Sequence, residues 1–212
     1  FRRTYMETLK RITITAAFTL VLGYIMAQNP APKTQATFVK SYEAEKSGNY
    51  VAAISAMKSI YKTDDYFINI RLGWLNYLAK QYTESIKYYE KSISLKPYAI
   101  EARFGCVKPL SATENWDKVK ANYLEILKID PQNTIANYWL GVIYYNRKDF
   151  MNATKLFEKV VNLYPLDYDS VIMLAWSKLN TGKSADAKVL FTHALLLRPD
   201  DSSALSGLKM IK

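Results

Sequence analysis

Gly182-Lys183-Ser184 is the stretch of this chain that looks most like phosphate chemistry, because a glycine turn followed by Lys and Ser closes the loop that cradles a nucleotide's phosphates. The full loop also needs a glycine at position 177, where this chain has Ser177, and a strand before it. With neither present, the tripeptide reads as a turn between two helices. His193 is the single histidine, with no cysteine near it and no metal-ligand spacing around it, so it reads as a helix-surface or packing residue. No Gly-x-Ser-x-Gly, His-Glu-x-x-His or Cys-x-x-Cys motif occurs, and the acidic residues are scattered as solvated helix faces. No catalytic residue, metal site or cofactor is therefore expected, and the chain reads as non-enzymatic. Asn152-Ala153-Thr154 has the form of a glycosylation sequon, but Ala153 falls at a core place in a helix.

The elements that would position any site are marked by proline. Pro97, Pro131, Pro165 and Pro199 stand 34 residues apart, each just after an apolar run that ends in Leu95, Ile129, Leu163 or Leu197. A ring with fixed φ and no N–H stops a helix at such a point, and a constant period of this length marks a helical repeat array. Measured from the prolines, the same places recur. Leu72-Gly73, Cys106-Val107, Leu140-Gly141 and Leu174-Ala175 fall in a first helix, and Ser85, Val119, Ala153 and Ala187 in a second. Large rings follow four residues later at Tyr89, Tyr123, Phe157 and Phe191. Small residues let two helices approach while the ring fills the space between them. Cys106, the single cysteine, holds a place otherwise held by Leu and reads as a buried apolar thiol with no intrachain disulfide.

This pattern resembles the tetratricopeptide repeat (TPR) family, with its Leu-Gly pair, downstream Ala, large aromatic four residues on, and closing Pro. The resemblance covers about residues 34–201 and is best in the unit 134–167, which has Leu140-Gly141, Tyr144, Ala153, Phe157 and Pro165 in place. It implies an all-α fold: a right-handed superhelical solenoid of antiparallel helix pairs. Units are expected at about 34–65, 66–99, 100–133, 134–167 and 168–201, with a short capping helix in 202–212. The first unit is divergent, with Tyr50, Ala53 and Met57 about two residues out of the later phase, and reads as a cap. Pro109 falls inside a first helix, so that helix is expected to end or bend near Lys108, eased by Gly105, with Leu110 to Glu114 as an altered turn before a helix containing Trp116.

The family also implies which places point into a concave groove. Here they read Phe38, Tyr42, Phe67, Ile70, Trp74, Tyr77, Phe104, Tyr138, Trp139, Tyr145 and Trp176, an aromatic trough interrupted by Arg71 and Lys108. The expected peptide-binding set is Arg71, Trp74, Tyr77, Phe104, Lys108, Tyr138, Trp139, Tyr145 and Trp176. Tyr and Trp are enriched among interface hot spots, and exposed aromatic patches mark contact surfaces. The expected function is a scaffold that binds a protein or peptide segment in this groove. Two alternatives stay open: a structural or self-associating subunit, and glycan or small-molecule recognition by the same rings. Family members that clamp a chaperone's terminal carboxylate use paired Lys or Arg and Asn in the groove, which Ile70, Trp74, Phe104 and Trp139 replace.

Composition bounds the rest. Half of the 212 residues are apolar, with only 7 Gly and 7 Pro, which excludes a disordered or collagen-like chain. Residues 1–27 read as a signal peptide: Lys10 and Arg11 after Met6, an apolar run from Ile12 to Met26, and Ala27 at the cut, before a linker at 28–33. Phe1 to Tyr5 read as upstream sequence. An exported, periplasmic or secreted protein is expected, the alternative being an uncleaved apolar helix that tethers the array to a membrane. The formal charge of +10 falls to +7 over residues 28–212 and is spread thinly, so nucleic acid is not an expected partner.

Overall fold

The computed structural model describes residues 32–211; the expected signal peptide at 1–27, residues 28–31 and residue 212 lie outside the described residues. Among the described residues the chain is all-α, with eleven helices and no strand. They are α1 (Pro32–Lys46), α2 (Tyr50–Lys58), α3 (Tyr66–Leu78), α4 (Tyr82–Leu95), α5 (Glu101–Ala112), α6 (Trp116–Ile129), α7 (Thr134–Asn146), α8 (Phe150–Leu163), α9 (Tyr168–Asn180), α10 (Ser184–Leu197) and α11 (Ser202–Met210). Two compact units divide the chain, Phe1–Lys62 and Thr63–Lys212. In the first, α1 packs on α2 around Thr37, Ser41, Ala53, Ile54 and Met57, so helix begins at Pro32, inside the expected linker.

In the second unit each helix packs on the next in chain order, giving the expected solenoid of helix pairs. The second helices of the pairs, α4, α6, α8 and α10, start 34 residues apart and end just before the four prolines. The turn inside each pair places one residue in the left-handed region at the same phase: Lys80, Glu114, Lys148 and Gly182, with φ of 58°, 56°, 61° and 78°. Gly182 is thus the left-handed residue that closes α9, and Gly182-Lys183-Ser184 is a helix–helix turn. Side-chain caps start most helices. Asp65, Asn133, Asp167 and Asp201 accept a backbone N–H at the starts of α3, α7, α9 and α11, and Asn49, Asn115 and Asp149 at the starts of α2, α6 and α8.

A second fastening also recurs every 34 residues. Asn69 Nδ2, Arg103 Nη2 and Asn137 Nδ2 donate to the carbonyls of Thr63, Pro97 and Pro131 at 3.3, 3.3 and 3.1 Å, tying each first helix to the linker before it. The rings sit where small residues admit them. A Cβ at Gly73 would come within 3.0 Å of the Tyr89 ring, one at Gly141 within 2.8 Å of Phe157, and one at Gly105 or Gly207 within 2.2 Å of Tyr89 or Phe191.

The expectation for Pro109 is corrected. Helix α5 runs through the proline to Ala112, the same phase at which α3, α7 and α9 end. Pro109 forfeits one backbone bond, but it is buried beside Cys106, Val107 and Leu110, and its carbonyl accepts both Thr113 N (3.1 Å) and Thr113 Oγ1 (3.0 Å). The helix end is therefore fastened beyond the proline. Gly105 serves a different purpose from the one expected: its missing side chain makes room for Tyr89.

Candidate functional site

Where the pair α5–α6 meets α7, the stack loosens. Close contacts link α3 to α5, α7 to α9 and α9 to α11, whereas α5 and α7 do not approach to that extent. One cause lies in the sequence: Val107 occupies the place held by Gly73, Gly141 and Ala175 in the other pairs. A β-branched side chain there takes the space that a glycine leaves to the ring in the other pairs. Tyr123 packs instead edge-on to Phe104, with centroids 6.4 Å apart. The result is a cleft of about 1000 Å³ with Val107, Val119, Tyr123 and Ile143 in its apolar lining. Trp116, Trp139 and Tyr77 add their rings, and Lys108, Ser111, Asn146 and Arg147 supply polar groups. That volume lies at the upper end of ligand-sized pockets and suits a stretch of polypeptide better than a small metabolite.

The charges around the cleft are partly held. Arg147 donates to Asp117 Oδ1 at 2.9 Å, and Lys108 Nζ stands 5.7 Å from the Trp74 ring centroid. Burial pushes the Tyr123 hydroxyl up to about 12, so it stays a neutral hydrogen-bonding group. Burial likewise pushes the Cys106 thiol up to about 12, with the Glu90 carboxylate adding to the effect, so no thiolate is available there.

Of the residues singled out from sequence, Tyr77, Lys108 and Trp139 line this cleft, and Trp74 adjoins it, its ring tilted 35° to that of Tyr77 with centroids 5.7 Å apart. Tyr138 meets Trp139 at 5.3 Å, and together they face a second cleft of about 690 Å³ towards the α8–α9 linker. Phe104 is spent on Tyr123. Arg71 is 5% exposed, packed within the helices, and does not present its guanidinium to a ligand. Trp176 packs on Phe191 at 5.0 Å and donates Nε1–H to Ser203 Oγ at 2.8 Å, which commits it to holding α11. Tyr145 packs on Phe150 at 5.1 Å, and its hydroxyl accepts from Asn180 at 3.5 Å. Phe38 and Tyr42 pair at 6.5 Å within the first unit. Trp116 and Arg147 were not among the expected residues. Both lie outside the first-helix places that the family pattern assigns to the groove, although an exposed Trp opening a second helix is a signal in its own right.

Residues 68–98 and 136–167 each match a family model described as tetratricopeptide repeat. Two stretches of the chain thus match the tetratricopeptide repeat. Among solved structures, a tetratricopeptide repeat protein from Parabacteroides merdae superposes with a TM-score of 0.71 at 17% identity, over 85% of this chain and 73% of that one. MamA from Desulfovibrio magneticus, residues 41 to the end, gives a TM-score of 0.67 at 18% identity, over 81% of this chain and 99% of that one. These likenesses establish a TPR fold. In sequence, the chain is 25% identical over 152 residues to the BBSome complex member BBS4 of Mus musculus. The match takes in 68% of this chain and 29% of BBS4, so the chain spans less than a third of that relative. The two TPR matches flank the pair α5–α6, the pair in which Val107 departs from the pattern and beside which the larger cleft opens.

Proposed function

We propose that this chain is a non-enzymatic scaffold that seats a segment of another protein in the cleft between α5 and α7. The observation that carries this reading is the opening itself: beside the junction where the helices approach least closely lies a cleft walled by Trp116, Trp139 and Tyr77. Trp116 and Trp139 are about half exposed, so a bulky apolar side chain entering between them releases water from both surfaces. Lys108 and Arg147 at the same cleft favour a carboxylate beside that apolar anchor. BBS4 is a member of a protein complex, which is consistent with a part in an assembly. The order of residues 6–27 supports a setting outside the cytoplasm or at an envelope surface, and the mass of the N-terminus in the exported fraction tests it.

The binding test uses the full chain as bait and compares capture with that by Trp116→Ala/Trp139→Ala. Capture should fall about tenfold or more, as for hot-spot aromatics, with helicity by circular dichroism unchanged. Equal capture by both proteins would refute the cleft as the seat.

A further inference from the structure

The edge of the stack formed by the linkers alternates in character with a period of two repeats. In the first pair of the Thr63–Lys212 unit the edge shows Phe67 (65% exposed) and Tyr98 (85%), and in the third it shows Ile135, Tyr164 and Leu166 (74%). The matching places in the second and fourth pairs hold Glu101, Asp130 and Gln132, and Asp169, Arg198 and Asp200. Scattered apolar residues on a surface are ordinary, whereas two apolar patches separated by a charged repeat form a pattern. The patches also differ in shape and charge. The first is a projection, with Lys96 Nζ lying 4.8 Å from the Tyr66 ring and 5.2 Å from the Phe67 ring. The second surrounds the cleft of about 690 Å³, where Ile135, Leu163 and Leu166 supply apolar walls and Asp167 and Asp169 bring carboxylates.

We infer that the occupant of this second cleft is the Phe67–Lys96–Tyr98 projection of a second copy of the chain. Tyr98 and Phe67 supply rings for an apolar hollow large enough to take one. Lys96 then comes to the side that carries Asp167 and Asp169, one of which already stands 3.5 Å from Arg198. The charge complementarity favours a second copy over a generic apolar segment, since cation and carboxylates are provided by the two patches themselves. Because projection and hollow lie on the same edge, two copies can exchange them reciprocally and close as a dimer. This surface is separate from the α5–α7 cleft apart from Trp139, which borders both and is left untouched in the test.

Sedimentation velocity of the full chain over a concentration series is the experiment, with Tyr98→Ser removing the projection and Leu166→Glu spoiling the hollow. The wild-type chain should show a reversible dimer, and each variant alone should raise its dissociation constant about tenfold or more. An equimolar mixture of the two variants should associate more strongly than either alone, because one intact projection then meets one intact hollow. Both positions are exposed, and circular dichroism verifies that the variants fold. A wild-type chain that stays monomeric overturns the inference and leaves the patches to a foreign protein. A dimer indifferent to both substitutions, or a mixture no stronger than its components, overturns it as well.

Discussion

The pairs α5–α6 and α7–α8 are neighbours built on one repeat, yet they treat the same interior place differently. In α7–α8 the Phe157 ring is fully buried and stands over Gly141, close enough that any Cβ there would intrude. In α5–α6 the corresponding residues are Tyr123 and Val107, and both line the cleft. One pair spends its ring on holding two helices together, and the other leaves its ring at the wall of an opening. A repeat array confines the consequences of such a change, since each unit touches mainly its neighbours. A single junction can therefore be loosened for binding while the pairs on either side keep the array folded.

The largest test of this contrast is to remove both rings in turn. Phe157→Ala should cost about 3–5 kcal/mol of stability, the usual loss for a fully buried ring, because the space left between α7 and α8 has no solvent route to relax it. Tyr123→Ala should cost less, about 2–3 kcal/mol, because the ring, though only 6% exposed, borders the cleft, which gives its neighbours room to relax into the space. Urea unfolding of the two variants compares them directly. Equal losses would mean that the two rings do the same structural job.

Next in size is the transplant of one pair's interior into the other. Gly141→Val installs the residue of α5 in α7 and forces the Phe157 ring aside, at a cost of about 2–3 kcal/mol by overpacking. Tyr123 has no glycine to lose, because Val107 already holds that place beside it. A Gly141→Val chain with unchanged melting temperature would show that Val107 does not open the α5–α6 junction. A smaller effect belongs to the helix starts. Asn133 caps α7, and Asn133→Ala should cost about 1 kcal/mol. Helix α5 starts one residue late, and Ile100 at its N-cap makes no side-chain cap bond. Ala99→Asp, placed where the other first helices carry their cap, should gain up to about 1 kcal/mol by thermal melting.

The period of the prolines was enough to place the helices, because a proline acts on the backbone by itself and needs no partner to end a helix. The small residues and rings at fixed offsets were readable for the same kind of reason: their size decides which helices can approach. The site was less so. Trp74, Tyr77, Lys108 and Trp139 could be assigned to the groove side of their helices, but whether a ring on that side meets water or the next repeat is settled by the neighbour. Trp176 meets Phe191 and Ser203, and Arg71 is covered. Val107 counted as one more member of the recurring pairs, because its effect depends on the position of Tyr123 across the helix interface, which spacing does not carry. The linker ties made by Asn69, Arg103 and Asn137 were hidden for another reason. Their spacing is as regular as that of the prolines, but an amide and a guanidinium share no composition signal, only the ability to donate to the same carbonyl.

The smallest predicted effect lies in the turns, and it tests whether the two pairs differ locally or only in their interior. Glu114 and Lys148 both hold positive φ at the same phase as Gly182. A side chain in that region presses its Cβ on the backbone, which glycine avoids, at the cost of a looser unfolded chain. Glu114→Gly and Lys148→Gly should therefore each gain about 0.5–1 kcal/mol. Gly182→Ala should lose a similar amount, and that loss is purely conformational, because a Cβ at Gly182 would have no neighbouring heavy atom within 4 Å. Thermal melting resolves changes of this size when the three variants are measured side by side. If the turn of α5–α6 is an ordinary one, Glu114→Gly and Lys148→Gly raise the melting temperature equally, and the difference between the pairs is confined to Val107 and Tyr123. A clearly larger gain at Glu114 would mean that Pro109, one turn earlier, strains the end of α5, and the loosened junction would then begin in the backbone.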